Sequence, residues 1–418
     1  MHVLFLTDNF PPEVNAPASR TFEHCRHWIE AGCRVTVITC APNFPSGRLH
    51  AGFRNHPWRR ETMEGVEVVR VWSYISPNEG LLRRSLDYAS FMLAAVLAAP
   101  FVPDVDIVVA TSPQFFTACA GAVIAAARRR PFVFELRDLW PESIRAVGAI
   151  KNHRIIDWLE QLELLLYRRA TAVVAVTHAF KANLVRRGID GSKIFVVTNG
   201  VDLARFTPRP RDEDLARLHG LTGRFVAGYI GTHGLAHALD TLLEAAQTLQ
   251  SAPGGQDIRF LLLGDGASKE ALKAKAEQLG LTSVLFLDSV TKDQVARYWS
   301  LLDVSVIHLK DAEVFSSVIP SKLFEGMAMG IPVVHGVRGE SATIVEHEGV
   351  GLTFEPENAD ALVQALLRLA RGDGLRQELA TRARQAAARY DRSALADEML
   401  AVLEQVSRQS RMARTGAA

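Results

Sequence analysis

Cysteine is scarce in this chain, with four thiols in 418 residues. Cys25, Cys33, Cys40 and Cys119 form no CxxC pair and have no histidine at metal-ligand spacing, which excludes a disulfide framework and a structural zinc module. They read as reduced core thiols of a cytosolic protein. Charge of one sign is lacking too. The 47 basic residues against 46 acidic ones leave a formal charge of +1, with no global field to draw in a polyanion, so nucleic-acid binding loses its support. Long hydrophobic runs are absent: the longest, Ala89 to Val102, contains Pro100 and falls short of the roughly 20 residues a spanning helix needs. The amino terminus enters a strand at once (MHVLFLT), without the basic and apolar regions of a secretion signal, and so points to the cytoplasm.

What is there is a foldable composition, 48% hydrophobic and 22% charged, long enough for two domains. Short β-branched runs at Val3 to Thr7, Arg34 to Cys40, Val66 to Val71, Asp106 to Ala110, Phe132 to Leu136, Ala172 to Val176 and Ile194 to Val197 alternate with helical spacings. That alternation is the mark of a parallel sheet covered on both faces. A polar, proline-bearing stretch, Asp202 to Gly223, has the composition of an interdomain connection. Beyond it the rhythm restarts with Phe225 to Ile230, Arg259 to Leu263, Val284 to Leu287, Val304 to His308 and Ile331 to Val334, and the chain closes on helix. The expected fold class is α/β. Residues 1–205 form one Rossmann-like domain, 206–385 a second with its parallel sheet facing a shared central cleft, and 386–418 a terminal helix crossing back to the first domain with a frayed tail.

Ligands of such sheets collect where strands end and helices begin. The most informative segment is IPSKLFEGMAMGIPVV, Ile319 to Val334. Pro320 suits a helix start and Gly330 a helix stop, which puts Lys322 and Glu325 on one face of the first turn. A cation beside free N–H groups suits a phosphate, and a carboxylate one turn on can hold a ribose diol; the plain alternative is a surface i,i+3 ion pair. Gly231, Thr232, His233 and Gly234 follow a strand and could cradle a phosphate or simply make a tight turn. Gly264-Asp265-Gly266 and Asp288-Ser289-Val290 hold equivalent positions. In the first half, the loop DNFPPEVNAPAS lacks GxGxxG, which argues against a dinucleotide there. Arg137 and Asp138 end one strand, as a site or as an architectural ion pair, while His178 and Asn199-Gly200 end two more.

The order of these motifs (PPEVNAPASR, RDLWPES, TNGVD, GTHG, GDG and IPSKLFEGMAMGIPVV) resembles that of glycosyltransferase family 4, the retaining nucleotide-sugar transferases of GT-B fold, over essentially the whole chain. Within it the chain looks like the bacterial O-antigen and capsule subgroup similar to N-acetyl-L-fucosamine transferases. The resemblance implies a nucleotide-sugar donor, UDP-linked by the subgroup's habit, and a saccharide or polyprenyl-linked saccharide acceptor. It implies Glu325 on the donor ribose and Lys322 on the diphosphate, with segments near Gly264 and Asp288 to Val290 at the base. It also implies no cofactor and a metal-free reaction, matched by the lack of a DxD-like cluster. Asn15 and His178 fall on the acceptor side, where Asp138 is the candidate for orienting the acceptor.

Three positions depart from the family pattern. Ser317 stands where a glutamate is usual, so the donor sugar is expected to meet backbone N–H groups around Ser317 and Val318. Thr232 and His237 stand for an Arg and a Lys, which leaves more of the diphosphate charge to Lys322. Arg137 replaces a histidine. The non-hydrolysing UDP-sugar epimerases, which share the architecture, are the competing reading. Leu81 to Val102 joins two arginines to an apolar stretch and could rest on the inner face of a membrane or serve as a core helix.

Overall fold

The computed structural model describes residues 1–13, 15–44, 47–76, 81–112, 114–139 and 153–415, in two compact units: Met1–Asn199 with Arg392–Ala418, and Gly200–Asp391. Both are parallel-sheet α/β structures, as the alternation of strand and helix periods implies. The first holds β1 (His2–Leu6), β2 (Arg34–Cys40), β3 (Trp58–Met63), β4 (Val66–Val71), β5 (Ile107–Thr111), β6 (Phe132–Leu136), β7 (Ala172–Ala175) and β8 (Ile194–Val196) in the order β3-β4-β2-β1-β5-β6-β7-β8. Every pairing is parallel except β3 with β4. Sequence patterning misses β3 for a physical reason: this edge strand, WRRETM, has no buried residue and carries no apolar run. Its turn, Glu64-Gly65, has φ of 47° and 85°, the two positive values that a tight hairpin needs.

Helices cover both faces of this sheet. Leu81–Ala98, Phe115–Arg128, His153–Arg169 and His178–Arg186 cover one face, where Phe91, Ala95, Ile124, Tyr167 and Phe180 pack on Leu4, Leu6 and Ile38. Ala16–Glu30 and the terminal helix Arg392–Thr415 cover the other, where Trp28 meets Leu395, Met399, Leu403 and Val406 over Val3, Phe5 and Val37. The apolar residues of the terminal helix recur at helical spacing, which makes this burial possible. The Trp28 indole N–H donates to Ala396 O at 2.9 Å, and Arg392 pairs with Glu23.

The second unit holds β9 (Phe225–Ile230), β10 (Ile258–Leu263), β11 (Val284–Leu287), β12 (Val304–His308), β13 (Val333–Gly336) and β14 (Gly351–Thr353), all parallel, in the order β11-β10-β9-β12-β13-β14. The expected strand Ile331 to Val334 shifts onward because Pro332 has no N–H to pair. The stretch Asp202 to Gly223 is no free connection. It carries a helix, Glu213–Leu218, capped by Asp212, and it sinks Phe206, Leu215, Ala216 and Leu221 into the second unit's core. In each sheet the strand order reverses beside the first strand, between β1 and β5 and between β9 and β12. Those crevices at the carboxyl ends are where the fold offers ligand sites.

Candidate functional site

In the second unit, the chain leaves β9 at Gly231 and β10 at Gly264, and the two exits cross in contact. His233 N–H donates to Asp265 O and Ser268 N–H to His233 O, each at 2.9 Å. The crossing demands glycine: at Gly264, with φ of 149°, a Cβ would lie 1.9 Å from Gly231 O, and at Gly266 a Cβ would lie 2.5 Å from His233 O.

The helix Lys322–Met329 begins where the proline predicts and ends on Gly330, with φ of 70°. Its Lys322 ammonium donates to Tyr229 Oη at 2.9 Å and sits 4.1 Å from that ring's centroid. Tyr229 is buried, and its hydroxyl passes a hydrogen bond to Thr232 O at 2.8 Å. A Cβ on Gly231 would come within 2.8 Å of Lys322 Nζ. The glycine thus opens space for the lysine as well as for backbone. Burial brings Lys322 down to about 8, against the nearby Glu325 charge that holds it up. Glu325 is half-buried one turn along.

Around this ammonium stand neutral imidazoles. His233 is fully buried with neither ring nitrogen partnered, and burial, then the Lys269 and Lys322 charges, lower it to about 4. His237 is lowered to about 3, by burial and then Lys322, and its Nδ1 has no partner. His308 places Nδ1 against His237 O and Nε2 against Glu357 N–H, both at 2.9 Å, which fixes the proton on Nδ1. Lys322 is therefore the cation of this cluster.

Lys269 escapes sequence reading because its helix, KEALKAKAEQ, looks like an exposed surface helix. Its buried ammonium donates to Gly264 O at 2.8 Å, Leu287 O at 3.1 Å and Asp288 Oδ1 at 2.5 Å. It ties together the loops that follow β10 and β11. The Lys269 hydrogen bond and charge hold the Asp288 carboxyl below its usual range. Ser289 is exposed and Val290 is half-buried beside them. Ser317 closes the turn Glu313–Ser317, its hydroxyl donating to Val314 O at 2.8 Å. Val318 N–H is already bonded to Phe315 O at 3.1 Å, so the donor-sugar contact expected of it would require that turn to open.

The residues singled out in the first unit also end strands or begin helices. Asn15 caps the helix Ala16–Glu30: its Oδ1 accepts Ala18 N–H at 2.8 Å and its Nδ2 donates to Asn9 at 2.6 Å. Arg137 and Asp138 follow β6, their N–H groups both donating to Ser112 Oγ, at 2.8 and 3.2 Å. Burial lowers Arg137 to about 10 despite the Glu135 charge. Among the described residues the buried ion pair here is Arg20 with Glu135 at 3.0 Å. Arg20 also donates to Val197 O, Thr198 O and Asn199, which anchors the first helix to the end of β8. His178 opens the helix His178–Arg186 and is exposed. Glu13 was not singled out in the sequence, although it lies in PPEVNAPASR. Burial pushes its carboxyl up, its Oε1 accepts Asn43 and Phe44 N–H groups at 2.8 and 2.9 Å, and its Oε2 has no partner. Trp140 to Ser143 of RDLWPES lie outside the described residues. Among the described residues no three His, Cys, Asp or Glu side chains gather as a metal site requires.

Comparison with known proteins covers both units. Residues 18–205 match the family model described as Glycosyltransferase Family 4, and residues 224–372 match Glycosyl transferases group 1. The chain is 24% identical over 386 residues to WcaI of Escherichia coli K12, named as a colanic acid biosynthesis glycosyl transferase, with 88% of this chain and 92% of that one covered. It is 26% identical over 413 residues to a GDP-mannose-dependent alpha-mannosyltransferase of Mycobacterium tuberculosis, with 97% of each covered. Among solved structures, Anabaena Alr3699/HepE in complex with UDP-glucose superposes with a TM-score of 0.73 at 18% identity, over 97% of this chain and all of that one.

Proposed function

The chain belongs to the family 4 glycosyltransferases and has their GT-B fold, and from that premise we propose that it moves a sugar from a nucleotide-sugar donor to a saccharide or lipid-linked saccharide acceptor in cell-surface polysaccharide synthesis, with retention at the anomeric carbon. The observation that carries the donor assignment is the Lys322 ammonium, held over Gly231 and Tyr229 at a helix start between β9 and β12. Breaking the anomeric C–O bond leaves a nucleoside diphosphate with increased negative charge. In this reading the Lys322 ammonium, at the positive end of its helix, meets that charge, Glu325 holds the ribose, and the loops clamped by Lys269 frame the base. Ser317 and Val318 border the donor sugar. The hydroxyl of the acceptor attacks the anomeric carbon and its proton passes to the departing phosphate oxygen. Arg137, Asp138, Asn15 and His178 stand on the acceptor side.

UDP is the proposed nucleotide, supported by the UDP-glucose that HepE holds; the mannosyltransferase relative, named for GDP-mannose, makes GDP the rival. A thermal-shift panel of UDP, GDP, ADP and dTDP decides between them, since a ligand that favours the folded state raises Tm with its affinity. No shift with any of the four would remove the donor assignment. The epimerase reading finds no support among the relatives, and incubation with a UDP-sugar and no acceptor, leaving the sugar's configuration unchanged, would close it.

A further inference from the structure

The chain exits of β1, β2 and β4 lie side by side in the first unit, because β2 pairs with both of the others. Side chains brace these exits against one another. Arg70, buried near the end of β4, donates to Cys40 O at 3.0 Å and to Pro11 O at 2.5 Å, and its guanidinium carbon lies 5.2 Å from the centroid of the Phe53 ring. Glu13 holds the N–H groups of Asn43 and Phe44. Asn55 grips the buried Ser73, its Nδ2 donating to Ser73 O at 2.7 Å and its Oδ1 accepting Ser73 N–H at 3.3 Å. Tyr74 N–H donates to Ser90 Oγ at 2.7 Å, and the His50 ring N–H to Phe44 O at 2.9 Å. On this braced frame four large apolar side chains are open: Phe44 at 41%, Leu49 at 40%, Trp72 at 43% and Tyr74 at 41% exposure. A loose apolar side chain is barer, as Leu235 is at 81%, and a core one is covered. The intermediate exposure of these rings is that of a plate with one face packed and the other free.

Rigid half-open rings suit an occupant with an apolar face and a polar edge. A pyranose has both, C–H groups on its face and hydroxyls around its rim. The exits supply partners for those hydroxyls: the Tyr74 phenol, the half-buried Asn43 amide and Asp8 carboxyl, and beneath them Glu13, whose Oε2 is buried and unpartnered. Local charge argues against an anionic occupant. Around Cys40, at the base of this junction, Glu13, Asp8 and Asp87 stand against Arg70, and the Arg70 guanidinium is already spent on Glu61 at 2.6 Å as well as on the two carbonyls. Position matters as much as chemistry. In the strand order β4-β2-β1-β5, the exits of β2 and β4 lie one and two strands, roughly 5 and 10 Å, to the side of β1, away from the crevice between β1 and β5. A sugar on these rings therefore lies beside that crevice rather than in it. We propose that Trp72 and Tyr74, with Phe44, form a distal subsite that stacks a sugar residue adjoining the one that reacts, so that the acceptor is an oligosaccharide and not a single sugar. The subsite deepens the reading of a saccharide acceptor and rests on it, while it owes nothing to the donor assignment in the second unit.

Binding of the labelled full chain, free of nucleotide, to an array of short bacterial surface oligosaccharides tests it, with the methyl glycosides of their single sugars printed beside them. The protein should bind oligosaccharides and leave the methyl glycosides bare. Trp72→Ala with Tyr74→Ala should weaken binding by roughly 100-fold, about tenfold for each ring. Trp72→Phe keeps an aromatic face and should retain most of it, a rescue that a merely structural role for the indole would not give. These side chains are partly exposed, so Tm should hold in all the variants. The rise in Tm on adding UDP or GDP reports the donor reading separately: a nucleotide shift without oligosaccharide binding sinks the subsite alone, and oligosaccharide binding without a nucleotide shift sinks the donor assignment alone. Absence of binding to every oligosaccharide, equal binding by wild type and the double variant, or equal binding of methyl glycosides would each overturn the proposal. A wild-type dimer that the double variant converts to monomer, with no oligosaccharide bound by either, would overturn it too, since the rings would then serve a second copy of the chain.

Discussion

Lys322 and Glu325 share a helix turn, and in the proposed reaction they answer to different moments. Charge on the diphosphate grows as the anomeric bond breaks, so Lys322→Ala should lower kcat by about 100-fold or more. The ribose changes little, so Glu325→Gln should raise the donor KM and spare kcat. Steady-state kinetics with donor varied at saturating acceptor separates the two, and near-native values for both would place the nucleotide elsewhere. The pH profile follows from the same burial. With Lys322 near 8, the free protein loses the ammonium as pH rises through that value, whereas a bound diphosphate favours the charged form and lifts it. Donor kcat/KM should therefore fall above about pH 8 while kcat stays level to higher pH. A kcat/KM profile flat to pH 9.5 would show that Lys322 does not carry donor binding. The lysine and the glutamate were legible in the sequence because three-residue spacing after a proline is local information. Tyr229, which holds the lysine from 93 positions away, and Lys269, which holds the loops, were not, because their contacts exist only once the sheet has formed.

At the level of elements, the two glycine exits from β9 and β10 are one structure rather than two turns. Gly264→Ala would drive a Cβ into Gly231 O, separating the loops that frame the proposed nucleotide site, and should both lower Tm and abolish the UDP-induced shift. Gly374, in the helix Asp373–Ala387, has open space around it. There the change to Ala should stabilise by roughly 0.5–1 kcal/mol through helix propensity alone. Equal effects at the two positions would show that the crossing is not tight. Buried parallel strands such as Arg34–Cys40 and Val304–His308 announce themselves by continuous β-branched runs, while β3 and the three-residue β14 do not, being short or exposed edges. At Gly231 a small residue is required whatever the loop binds, because a Cβ would meet the Lys322 side chain.

The molecule's two units differ in how their chain is closed. The second is continuous from Gly200 to Asp391, whereas the first takes its final helix, Arg392–Thr415, from the far end of the sequence. Met399 and Leu403 on that helix are fully buried against the first unit's core, beside Trp28 and Val37. A charge at Met399 would be buried with no partner, a cost that commonly exceeds a few kcal/mol. Met399→Asp should thus release the terminal helix and loosen the face of the first sheet that it covers. The second unit has no share in that core and should keep the proposed nucleotide site. Hydrogen exchange read by mass spectrometry checks both halves of the expectation. Amides of Ala16–Glu30 and Arg392–Thr415 should lose protection, while β9, β10 and Lys322–Met329 keep theirs and UDP still raises the Tm of the second unit's transition. Loss of protection in both units together would mean that they unfold as one cooperative body, and the terminal helix would then be a support for the whole molecule and not for the first unit alone.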